Sequence, residues 1–271
     1  MPAIEVVRIF AWMKQKLLSW GSAVGLATML PAQADIAFQP AGMKVVWQSL
    51  DKEFDGFKTY NSSEGVYVTL VAKSQEKQFI GFLKSASKVS FKDGDKDLGG
   101  EFGFFNTISK SGEAIKLEVK SKKLPAQGAT SVQIKGDLEV IRASTFDTKS
   151  LGPREFKKGD KLELGEDFKF TIDSLGKPKW GDNPLSISFQ WKRKKAGKVE
   201  ELKEVRFYTE DGQLIESSRG GSSWGGFLGS YTTTISYSLK KDVKVFKIEM
   251  DIWKDMEKVT VPLDMSLKIG G

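Results

Sequence analysis

The chain has no histidine and no cysteine in 271 residues. Without histidine there is no Ser-His-Asp or Cys-His relay and no histidine zinc motif. The side chain that ordinarily titrates near neutrality is missing as well. Without cysteine there is no thiolate nucleophile, structural zinc knuckle, disulfide or lipoprotein anchor. Any catalysis would rest on carboxylates, lysine, serine, threonine, tyrosine, or a metal held by oxygen alone. Helical periodicity is almost absent too. What remains, 39% hydrophobic and 28% charged residues, is a soluble globular balance, long enough for one large domain or two ordinary ones. The formal charge is +7, of which residues 1–34 carry +2 (Arg8, Lys14, Lys16 and Glu5); the +5 on the rest is modest for its size, so no nucleic-acid partner is expected.

Residues 13–34, MKQKLLSWGSAVGLATMLPAQA, have the parts of a secretory signal peptide. Lys14 and Lys16 supply the positive start, Leu17–Leu30 the apolar run, and Ala32-Gln33-Ala34 the small-x-small cleavage site. Met13 opens a better-proportioned leader than Met1, and cleavage is expected after Ala34. The apolar run is short for a permanent span, which wants about 20 residues. Export without cysteine fits a bacterial periplasmic or extracellular protein better than a disulfide-bonded secreted module.

Beyond the leader come short runs rich in Val, Ile and Phe. Ile115, Leu117 and Val119 alternate with polar residues and share one face of a strand. Val132-Gln-Ile134 and Leu138-Glu-Val140 repeat the pattern, with Gly136 between them expected as a bulge or bend. The polar stretch 143–158, with Gly152-Pro153 at its middle, is expected as a boundary between domains 35–145 and 146–271. Strands continue to the end of the chain, the last at 258–269. The expected fold is all-β, two tandem immunoglobulin-like antiparallel sandwiches after a cleavable signal peptide.

A repeat supports the tandem. Val89-Ser-Phe-Lys-Asp-Gly and Val205-Arg-Phe-Tyr-Thr-Glu-Asp-Gly both read as a strand turning at Asp-Gly, the Val-x-Phe elements 116 residues apart. Each hairpin is followed by a glycine-rich segment, an alternating strand and a two-strand end, 132–141 in one copy and 243–253 plus 258–269 in the other. The segments KVSFKDGDKDL, ISKSGEAIKLEVKSKKLPAQGATSVQIKGDLEV and FYTEDGQLI resemble those of exported bacterial proteins built of immunoglobulin-like sandwiches. The resemblance covers residues 60–215. It implies fold and export, and brings no activity, ligand or site.

Four stretches invite chemistry. Asp93, Asp95 and Asp97, with Glu101 nearby, are oxygen donors of the kind calcium requires. Leu98 stands where a calcium loop needs glycine, and the flanks read as strands, so a solvated hairpin turn is the plainer reading. In Arg219–Ser230, Trp224 and Phe227 stand among glycines on what reads as an end loop. They are the candidate ligand-binding residues, against the plainer reading that they plug the end of the sandwich. Trp191-Lys-Arg-Lys-Lys195 could meet anions but is offset by Glu200, Glu201 and Glu204. Ser85-Ala-Ser-Lys88 spells S-x-x-K without its companion motifs and leads into a strand.

The expected function is therefore an exported, non-enzymatic binding or scaffolding protein of the bacterial cell envelope. No cofactor, catalytic residue or bound metal is expected. The expected partner is a protein or glycan of the envelope, with self-association through open strand edges as a further route and no transmembrane span after cleavage. A carbohydrate-binding protein using Trp224 and Phe227 is the alternative, and a carboxylate-dependent hydrolase a more distant one.

Overall fold

In a computed structural model, the structure describes residues 36–47, 53–54, 57–58, 63–104, 106–164, 168–178, 181–193, 201–227 and 230–269. Residues 13–34, where a leader is expected, and residues 194–200 of the basic stretch lie outside them. Strands run in chain order through β1 (Gln39–Val46), β2 (Glu53–Phe54), β3 (Phe57–Lys58), β4 (Gly65–Lys73) and β5 (Gln78–Phe82). Next come β6 (Lys88–Asp93), β7 (Lys96–Gly99), β8 (Glu101–Phe102), β9 (Thr107–Ile108), β10 (Ala114–Lys120) and β11 (Ser131–Ala143). The second half holds β12 (Phe146–Glu155), β13 (Lys161–Glu163), β14 (Lys169–Gly176), β15 (Leu185–Arg193) and β16 (Leu202–Thr209). It ends with β17 (Leu214–Ile215), β18 (Ser217–Phe227), β19 (Ser230–Leu239), β20 (Val245–Trp253) and β21 (Glu257–Lys268). The protein is all-β: no helix occurs among the described residues, and so none long and apolar enough to cross a membrane.

Four principal sheets enclose two cores. In the first module β1-β4-β10-β8, with β9 beside β10, faces β21-β11-β6-β7, with β5 beside β11. The core between them is mostly aliphatic, and the alternating Ile115, Leu117 and Val119 are buried in it as their period requires. In the second module β13-β14-β15-β19-β18 faces β12-β20-β16-β17 across an aromatic core. Phe189 of one sheet stacks on Phe207 of the other at 6.3 Å between ring centres, and Phe207 also packs on Phe246 and Tyr237. Both Asp-Gly hairpins form. Phe91 and Phe207 are fully buried at equivalent places, and Gly94 and Gly212 take the positive φ that each turn demands.

The repeat extends to the sheets themselves. Phe91 pairs with Ile134 of β11, and Phe207 pairs with Ile248 of β20. The order β4-β10-β8 in one module matches β15-β19-β18 in the other, and β11-β6-β7 matches β20-β16-β17.

The polar stretch expected as the boundary between domains forms strand β12, which pairs with β20 on one side and sets Leu151 against the second core. Two local expectations are corrected. The strand expected at the end of the second module, β21, instead pairs with β11 and buries Val261 and Leu263 in the first core. Gly136 is not a bulge. It pairs regularly with Val89 and Leu263, and a Cβ there would stand 2.2 Å from the Lys88 carbonyl oxygen. A crowded crossing, not an irregular strand, requires the glycine.

β11 and β12 are separated by two residues, and β20 and β21 by three. The ladder β11–β21 therefore runs straight on as β12–β20. Partner residue numbers add to 399 from Ser131↔Lys268 through Arg142↔Glu257 and Phe146↔Trp253 to Leu151↔Ile248. One in-register ribbon thus spans both modules. In the first module β11 carries the rest of the sheet and β21 is the edge. In the second β20 carries the sheet and β12 is the edge. Each repeat gives its final strand to the other.

Candidate functional site

The ribbon changes modules at a clamp. Asp255 stands across from Ser144 and accepts three bonds: the Ser144 N–H at 2.9 Å, the Thr145 N–H at 2.8 Å and the Ser144 hydroxyl at 2.6 Å. The Lys254 N–H donates to the Thr145 carbonyl, so the ladder is not broken at the crossing. The Ser144 hydroxyl and the two N–H groups hold the Asp255 carboxyl well below the usual carboxylate range. Beside it Arg142, largely buried, donates to Glu257 at 2.8 Å and Lys77 donates to the same carboxylate at 3.0 Å.

A cleft of about 500 Å³ opens beside this seam, between the two modules. Its floor is tied to the ribbon: Gln78 pairs with Ala143, Phe79 with Arg142, Leu202 with Ile252, and Trp253 with Phe146. Phe79, Leu202 and Trp253 are buried, which gives an apolar base.

Three β-bulges meet at this cleft. In β5 Gly81 pairs with Ile141 and Phe79 with Arg142, leaving Ile80 as the extra residue. In β16 Leu202 pairs with Ile252 and Glu204 with Asp251, leaving Lys203 as the extra residue. In β18 the register shifts between Arg219 and Ser222. A bulge re-aims side chains out of the alternating pattern, and bulges gather beside functional sites. The extra residue is apolar in β5, where it is Ile80, and a cation in β16, where it is Lys203.

The remaining wall is the turn 108–112. The Ser109 hydroxyl accepts the Ala114 N–H at 3.1 Å, the Gly112 N–H donates to the Ser109 carbonyl, and the Phe79 N–H donates to the Gly112 carbonyl at 2.7 Å. Gly112 has φ +76°, and a Cβ there would stand 2.7 Å from Cβ of Gln78. The turn is thus set against β5 as closely as backbone allows, and it places Lys110 at the rim.

Charge in the cleft is one-sided. Lys110 and Arg219 are exposed and make no ion pair with any described residue. The Lys203 ammonium lies 3.4 Å from the Phe146 ring centre and 5.1 Å from that of Trp253. The one carboxylate among the described lining residues, Glu204, accepts a bond from Arg206 at 2.8 Å. Arg206 is also held bidentately by Asp251 at 2.6 and 2.8 Å. Burial alone would raise the Asp251 carboxyl, but the bonds from Arg206 and Thr148 carry it below the usual range. A single carboxylate already held by arginine is not the pair that glycoside hydrolysis uses.

The residues singled out from sequence lie elsewhere. Trp224 and Phe227 fall in edge strand β18, not in an end loop, opposite Thr233 and Ser230 of β19. Pairing with the Thr- and Ser-rich β19 draws the glycine-rich segment into the sheet. Their side chains lie outside the description, but Arg219, on the same strand, lines the cleft. In the acidic hairpin Asp97 accepts the Gly99 N–H at 2.8 Å and Asp93 accepts the Ala126 N–H at 2.7 Å. Two of the three aspartates thus tie down backbone, and no group of three or more metal-ligating side chains gathers among the described residues. Trp191 is buried in the second core. The cleft itself was missed because its residues are scattered through 78–253 and its bulges leave no sign in hydropathy. Comparison of the chain with protein-family models, curated proteins and solved structures finds no match in any of the three.

Proposed function

We propose that this is an exported, non-enzymatic binding protein of the bacterial envelope, built of two immunoglobulin-like sandwiches that hold a ligand in the cleft between them. The observation that carries the reading is the convergence of three bulged strands and a pinned turn on one cleft beside an unbroken ribbon. Preorganised walls lower the ordering cost of binding, and a cleft of about 500 Å³ is within the usual range for a ligand site. The seam gives a reason for the duplicated architecture, since the walls come from both modules and neither module alone would form the site. The leader sequence and the resemblance of residues 60–215 to exported bacterial sandwiches support the location. A glycan-binding surface that includes Trp224 and Phe227 is favoured by their place on β18, the strand that brings Arg219 to the cleft.

The test is hydrogen exchange on the full chain, incubated in turn with the polysaccharide and protein fractions of a bacterial envelope. Protection concentrated at 78–80, 108–112 and 202–204 is expected with one of them. Protection confined to other surfaces, or none with any fraction, overturns the reading.

A further inference from the structure

The cleft also constrains what enters it. We infer that its ligand is a short acidic saccharide whose carboxylate lies between Lys110, Lys203 and Arg219; this rests on the cleft being the binding site. Three cations from three different strands or turns face one opening, and the single acid among its described lining residues is committed to Arg206. A site whose described residues carry more positive than negative charge favours an anion. The other polar groups at the opening are a side-chain amide, Gln78, and a hydroxyl, Ser109. Set around the rim, they suit the ring substituents of a sugar. The base is apolar, formed by Phe79, Leu202 and Trp253, which are themselves buried. Lys203 is held against the rings of Phe146 and Trp253, which positions its charge. Arg219 and Lys110 lie free at the rim, where a bidentate guanidinium and a mobile ammonium can close on a carboxylate.

Titration calorimetry on the full chain should use digalacturonate, its neutral counterpart digalactose, and tetraglutamate. Digalacturonate is expected to bind at least tenfold more tightly than digalactose, and to weaken as salt is raised from 0.05 to 0.5 M, about as exposed charge contacts do. Arg219→Gln and Lys110→Gln, both at exposed positions, should each weaken it by about fivefold while leaving the melting temperature unchanged. Lys203→Gln should weaken it further, and Lys203→Arg should restore most of the loss. Equal affinity for digalactose, with exchange protection still in the cleft, overturns the acidic ligand and leaves the binding site standing. Preference for tetraglutamate overturns the saccharide in favour of an acidic peptide. Binding that ignores all three substitutions, or no binding by any probe together with no protection of the cleft by envelope fractions, overturns both.

Discussion

Leu263 stands near the end of the chain, yet its side chain is buried in the first module's core, 4% exposed. Its cross-strand neighbour is Gly136, which has no side chain to move into a gap. Leu263→Ala should therefore leave most of the deleted volume empty. Buried leucine truncations cost about 2–5 kcal/mol, and an edge strand relaxes more than a central one, so about 3 kcal/mol is expected. The informative quantity is where that loss appears. Native-state hydrogen exchange should quicken on the order of a hundredfold in the slowest amides of β4, β10 and β11, some 200 to 130 residues away in sequence. The slowest amides of β15 and β19 should change far less. Ile248→Ala, on the fully buried face of β20, should give the converse map. Faster exchange in β15 and β19 with β4 and β10 untouched would refute the exchange of final strands between repeats.

Three further outcomes follow from the seam and the cleft. Asp255 is held below its ordinary pKa, so its contribution is fully present above about pH 4 and is lost as pH falls through the depressed folded value. Asp255→Asn should thus flatten the acid side of a melting-temperature profile between pH 2 and 5, and an unchanged slope would remove the clamp. Asp251→Ala removes the bidentate partner of Arg206, which keeps Glu204 at 2.8 Å and Glu249 at 3.6 Å, and should cost about 1.5–2 kcal/mol in urea unfolding, as the loss of hydrogen bonds to a charged group does. A loss under about 1 kcal/mol would mean that water replaces the carboxylate. Gly112→Ala forces a left-handed residue and a Cβ contact at 2.7 Å, so it should loosen the 108–112 turn in hydrogen exchange at a cost of about 1–2 kcal/mol. A crystal structure of that variant with the turn unmoved would sink the argument.

The sequence carried the strands well because burial on one face writes a period of two. Ile115, Leu117 and Val119 needed only that rule, and the paired hairpins needed only Asp-Gly and the glycine's φ. It could not carry pairing partners. Val261 and Leu263 alternate equally well in either module, and only the register with β11 shows whose core they fill. β12 was hidden for a related reason. The half-buried face of this edge strand carries Asp147, Lys149 and Leu151, which show no apolar period, so its hydrogen bonds to β20 are the evidence for it. The cleft was least legible of all. Lys203 looks like one more outward lysine until the partners of Leu202 and Glu204 show that it is the unpaired residue of a bulge.

The two exposed edges of the ribbon bear on how such a chain stays a single object. Exchange of final strands leaves β21 at the edge of one sheet and β12 at the edge of another, and each could template a further strand. Each carries a proline, Pro262 in β21 and Pro153 in β12, which removes a backbone donor from the row. β12 also breaks register at Gly152-Pro153, and charged side chains flank Pro262 within two residues only on one side, at Asp264. These two edges are therefore poor sites for adding a second copy. The same reasoning separates the two kinds of edge. Where strands join the repeats to each other, the ladder runs for the full length of β21 without a register shift; where they face outward, a donor is missing. Pairing is thus directed inward, toward the seam, which is where the cleft and its three cations lie.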